Sequence, residues 1–116
     1  MAREMDMIYV VWACRETKEA KKIIYDLLDR RLIACASIFP EVESIYRWKD
    51  TIEESQEVKV VLKTIFKHFD AIQAYIQKQC SYEVPEIIQI DIVKGNARYL
   101  SWIVQETASI SLSTLA

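Results

Sequence analysis

The sequence predicts an α+β fold whose elements follow the order β-α-β-β-α-β, with a further helix near the C-terminal end. Three observations lead there. Period-two alternation rich in β-branched and aromatic residues flanks a tight turn at Lys49-Asp50. Two segments instead repeat apolar residues at three- and four-residue steps, the mark of amphipathic helices. An almost unbroken apolar run, Met-Ile-Tyr-Val-Val-Trp-Ala-Cys from Met7 to Cys14, suits a strand covered on at least one face.

That run is the first strand. Arg15 to Thr17 makes a short connection, with Thr17 as the expected helix cap. The first helix continues to about Arg31. Ala20, Ile23, Ile24, Leu27, Leu28 and Leu32 face inward, and Lys18, Lys22, Asp26 and Asp29 face solvent. Ala34 to Trp48 is the second strand, interrupted at Pro40, which cannot donate to a ladder and so marks a bulge, a bend or a free edge.

The third strand runs from Ile52 to Ile65. A second helix is expected over Phe66 to Gln79, with Phe69, Ile72 and Ile76 inward. Val84-Pro85 closes the next connection, and Glu86 to Val93 is the fourth strand. Gly95-Asn96 starts a third helix, about Ala97 to Thr107, burying Tyr99, Leu100 and Ile103. This is the ferredoxin-like split βαβ arrangement: an antiparallel four-stranded sheet, two helices on one face, and the other face left bare. One domain over residues 1–116 is expected, with its core at about 8–107 and tails at 1–6 and 108–116.

The central hairpin, Ser44 to Thr64, organises the chain. Ser44, Tyr46 and Trp48 share one face, and Ile45 and Arg47 the other. A straight strand from Ile52 to Ile65 would reach about 45 Å at ~3.3 Å per residue. A compact chain of this length has a diameter of only roughly 35 Å. The hairpin must bend or project, and projecting strand edges invite pairing with another chain. An oligomer is therefore expected, covering the bare sheet face.

Composition narrows the function. Apolar residues at 52% exclude a disordered chain. A net charge of −2 with interspersed signs, and no Arg/Lys-Gly-Phe/Tyr pattern, gives no reason to expect nucleic acid. Gly95 is the sole glycine, so a glycine-rich phosphate loop is excluded. No apolar run approaches ~20 residues and the N-terminus shows no signal-peptide pattern, so no membrane span and a cytoplasmic location are expected. Cys14, Cys35 and Cys80 are odd in number and widely spaced, as reduced thiols are in such a compartment.

Candidate chemistry is sparse. His68 lies opposite Phe69 and Ile72 and is expected in solvent, so no Cys-His nucleophile is signalled. Cys35 reads as a buried small hydrophobe. Cys14 and Cys80 end their elements, where two soft thiolates can hold copper(I) or zinc, though no Cys-x-x-Cys spacing supports a structural zinc site. Tyr46, Trp48, Tyr82, Glu83 and Trp102 fall near turns and element ends. Aromatics with a carboxylate suit a small-ligand cleft or, equally, an interface anchor.

Several segments then carry a resemblance. They are Arg31-Leu32-Ile33-Ala34-Cys35-Ala36, Ser44-Ile45-Tyr46 with Trp48, Ile52-Glu53-Glu54, Glu57-Val58, Lys63-Thr64, Tyr82-Glu83-Val84-Pro85-Glu86-Ile87, and Gly95-Asn96 with Tyr99-Leu100 and Trp102. Together they resemble the CutA family of divalent-cation tolerance proteins. The resemblance implies a tight homotrimer of ferredoxin-like subunits with long hairpins paired between subunits, similar in shape to the PII signalling proteins. It implies a ligand cleft at the subunit contacts formed by Cys35, Trp48, Glu57, Lys63, Tyr82, Glu83 and Trp102.

Members are linked to copper tolerance, and some bind divalent metals; no secure catalytic activity is implied. The copper-binding members carry cysteine where this chain has Trp12, and histidines where it has Gln79 and Cys80. Cys14 lies two residues beyond Trp12 on the same strand face. The usual turn glycine is Asp50 here. The expectation is a non-enzymatic trimeric protein of divalent-cation tolerance, with copper or another divalent metal as the implied ligand and Cys80, with Cys14, as the metal candidates. The alternatives are a PII-like small-ligand signalling module and a scaffold docking an unidentified protein partner.

Overall fold

The computed structural model describes residues 3–108. Four strands, β1 (Met7–Cys14), β2 (Cys35–Trp48), β3 (Thr51–Ile65) and β4 (Ile87–Asp91), form one sheet in the order β2-β3-β1-β4. Every neighbouring pair is antiparallel. Helices α1 (Thr17–Asp29) and α2 (Phe69–Gln79) connect them, and α3 (Ala97–Glu106) follows β4. This is the α+β, ferredoxin-like arrangement that the pattern predicts.

The core lies between one sheet face and the first two helices. Ile8, Val10 and Trp12 of β1 and Val58, Val60 and Leu62 of β3 meet Ala20, Ile23, Ile24 and Leu27 of α1 and Ile72 and Ile76 of α2. Trimming one such Ile or Leu to Ala costs roughly 2–5 kcal/mol. Asp26, expected in solvent, instead accepts the Tyr75 hydroxyl and ties α1 to α2.

Local chemistry sets the element ends. The α1 N-cap is Glu16, with no side-chain cap; Thr17 is the first helical residue. At the other end Arg31 takes φ 60°. The Arg31 N–H reaches the Leu28 carbonyl and the Leu32 N–H the Leu27 carbonyl, both at 3.0 Å. That is a Schellman cap made without glycine.

Lys49 and Asp50 take φ 50° and 66°, the left-handed pair of a type I′ turn whose twist matches its strands. Pro40 sits in a bulge: the register shifts between Phe39 and Val42, with Glu41 at φ 60°. Leading into α3, the Asn96 side chain accepts the Tyr99 N–H at 3.0 Å.

Four differences from the expected pattern bear on the site. Phe66–His68 is a 3₁₀ turn, so α2 begins at Phe69. His68 is therefore not on a helical solvent face; its Nε2 contacts the Thr107 carbonyl at 2.7 Å, pinning the end of α3. β4 is shorter than expected, ending at Asp91, with Val93 fully in solvent. Finally, the second sheet face is not wholly bare. Ile103 of α3 packs on Ala34 and Ile65 at one end of it, with Leu100 partly buried and Tyr99 exposed rather than buried.

The β2-β3 hairpin carries on past the core. The molecule measures 54 × 28 × 25 Å, its long axis well beyond the roughly 35 Å of a compact chain this size. Ile45 and Ile52 on the hairpin are 67% and 56% exposed.

Candidate functional site

The hairpin's register builds a broad cleft. Ser44 opposes Ser55, Tyr46 opposes Glu53 and Trp48 opposes Thr51, so Ser44, Tyr46 and Trp48 line up on the face that also carries Glu57 and Lys59. The connection 81–86 closes the far side, and the space between is about 720 Å³. That is the size of a small-molecule site.

The walls are held from several elements. The Ser81 N–H donates to Glu19 of α1 at 2.6 Å, and its hydroxyl meets the same carboxylate at 3.1 Å. The Arg15 guanidinium lies 5.0 Å from the Tyr82 ring centre, and its Nε donates to Ser81 Oγ at 3.4 Å. Lys59 Nζ donates to Glu86 Oε1 at 2.5 Å, each side chain about one-third exposed. The Tyr46 hydroxyl lies 3.3 Å from Ser55 Oγ. Burial first, and then the Glu57 carboxylate, push the Tyr82 phenol up to about 12, so it stays protonated at neutral pH.

Four of the seven residues assigned to the cleft line it: Trp48, Glu57, Tyr82 and Glu83. The other three do not, and they gather at the opposite end of the same sheet face. Lys63, only 7% exposed, donates to the Ser37 hydroxyl and lies 3.8 Å from Cys35 Sγ. Trp102 stacks on Tyr99 with ring centres 5.8 Å apart, on the helix that covers this end. Glu57 and Lys63 share the parity that places them on one face, but six residues of strand separate them by about 20 Å.

Between the two ends the face is apolar and open. Phe39, Ile88 and Ile90 are each about half exposed, flanked by Val11 and Val61. Arg15, Lys59 and Glu86 also line the cleft; Arg15 and Lys59 lie outside every segment that carries the resemblance, and Glu86 lies within one without being assigned to the cleft. The one available signal is that Lys59 alternates with the buried Val58 and Val60, which sends its ammonium to this second face.

The metal candidates fit poorly within one chain. Cys14 is buried and its thiol donates to the Glu16 carbonyl at 3.4 Å. Burial first, and then Glu19, push that thiol up to about 12, so no thiolate is ready at neutral pH. Cys80 is half-buried at the end of α2. Among the described residues no three His, Cys, Asp or Glu side chains gather to hold a metal ion.

Fold and cleft together define an α+β protein of the ferredoxin-like class, with an aromatic-walled cleft on the open side of its sheet. The chain belongs to the CutA1 divalent ion tolerance protein family, whose family model matches residues 8–106. It is 38% identical over 101 residues to the divalent-cation tolerance protein CutA of Pyrococcus horikoshii, covering 87% of this chain and 98% of that one. Against mouse Protein CutA it is 38% identical over 103 residues, 89% of this chain, and spans only 58% of the mouse protein. Among solved structures, CutA1 from Oryza sativa superposes with a TM-score of 0.86 at 27% identity, covering 91% and 97% of the two chains. CutA from Xylella fastidiosa superposes at 0.85 with 31% identity, covering 88% and 98%.

Proposed function

We propose that this chain works as a non-enzymatic homotrimer in divalent-cation tolerance, acting in a cytoplasmic compartment, with the cleft as a small-ligand site at the subunit contacts. The observation that carries this reading is the open sheet face. Phe39, Ile88 and Ile90 lie between the cleft and the Cys35–Lys63 cluster, each about half exposed. A neighbouring subunit seated there would bury the apolar stripe, support the projecting hairpin and wall in the cleft. The family is described by divalent ion tolerance rather than by a reaction, which favours binding over catalysis.

Among the described residues of one chain no three His, Cys, Asp or Glu side chains gather to hold a divalent ion, and the Cys14 thiol is buried and donates to the Glu16 carbonyl. The tolerance role therefore rests on the cleft and the assembly rather than on a metal held within the subunit. The test is to place acids in the stripe. Ile88→Glu with Ile90→Glu leaves the first core intact, since both side chains lie on the other face. The variant is expected to sediment as a folded monomer where the parent sediments as a trimer. A variant that remains trimeric sinks the reading.

A further inference from the structure

We propose that the cleft takes an organic cation: a small molecule carrying a protonated amine or guanidinium on a flat apolar body. This rests on the cleft being a ligand site, and adds the charge class of its ligand.

Five ionised side chains line the cleft: Arg15, Glu57, Lys59, Glu83 and Glu86. Only one of the two cations is neutralised inside the protein. Lys59 is paired with Glu86 at 2.5 Å. Arg15 lies over the Tyr82 ring at 5.0 Å and donates to Ser81. Glu57 and Glu83 form no ion pair among the described residues. With Lys59 and Glu86 cancelling, Arg15 is set against Glu57 and Glu83, so the charge that one chain leaves for a ligand is negative by one unit.

The walls point the same way. Tyr46, Trp48 and Tyr82 offer ring faces, and ring faces attract cations, tryptophan most strongly. Tyr82 keeps its phenolic proton, so its ring remains neutral beside Glu57. The Trp48 ring already draws the chain's own Lys49 Nζ to 5.8 Å, the outer reach of such a contact. A ligand cation held closer by Glu57 would displace it. An anion would have to draw on Arg15 or break the Lys59–Glu86 pair, in either case while facing Glu57 and Glu83. A neutral body would stack on the rings and leave both carboxylates without a cationic partner.

Three probes sharing one body separate these cases: 2-phenylethylamine, 2-phenylethanol and phenylacetate, titrated calorimetrically into the full chain in its native oligomer. The amine is expected to bind about tenfold or more tighter than the other two, and to weaken with salt. Glu57→Gln should erase most of that preference. Glu86→Gln, which releases Lys59, should shift the preference toward phenylacetate. Equal or tighter binding of the alcohol or the acid overturns the cation assignment while leaving the cleft a ligand site. Binding of none of the three, with the fold intact by circular dichroism, overturns the ligand site itself.

Discussion

Cys14 ends β1 with its thiol turned into the protein, and burial holds its proton well beyond the ordinary thiol range. Tyr82 is raised in the same sense, by burial and by Glu57. The unfolded chain releases both protons near their ordinary values, about 8.5 and about 10. From there up to about 12 the native state binds more protons, so stability falls as pH rises through this window and is full below it. Urea midpoints at about pH 8 and about pH 10.5 should show that fall. Cys14→Ala should make it shallower; an unchanged slope would mean that Cys14 does not carry it. Of the cleft residues, Trp48 was legible in the strict alternation of the hairpin, and Glu57 only through the resemblance. Lys63 shows the limit of parity: it fixes a side chain's face but not its neighbours along the strand.

The hairpin is where local sequence and tertiary role coincide. Alternation on both sides of Lys49-Asp50 marks the turn, and Pro40 marks the bulge where the register shifts. The turn uses two non-glycine residues at positive φ, a conformation glycine adopts without penalty. Asp50→Gly is expected to stabilise the protein by about 0.5–1 kcal/mol, read as a higher urea midpoint. A lower midpoint would show that the Asp50 side chain contributes more than its backbone strain costs. The end of the chain was less legible. Helical spacing marks an apolar stripe on α3 but not which sheet face it meets, so Tyr99 is exposed where burial was expected. His68 escaped for a related reason. A 3₁₀ turn rotates side chains differently from an α-helix, and the Thr107 carbonyl that receives it is 39 residues away.

At the scale of the molecule, length against girth is the informative quantity. A long axis of 54 Å with short axes of 28 and 25 Å leaves the hairpin beyond the reach of its own core. Ile45 and Ile52 there, and Phe39, Ile88 and Ile90 on the sheet, are apolar surface that a partner subunit would cover. The arithmetic of strand length made the overshoot visible in the sequence. What one sequence lacks is the other chain's side of the contact, and parity along the strand does not supply it. Native mass spectrometry of the intact protein tests this most directly. A mass of about 41 kDa is predicted, three times the 13.6 kDa of one chain. A single chain at 13.6 kDa in non-denaturing buffer would contradict it and leave the open sheet face without its occupant.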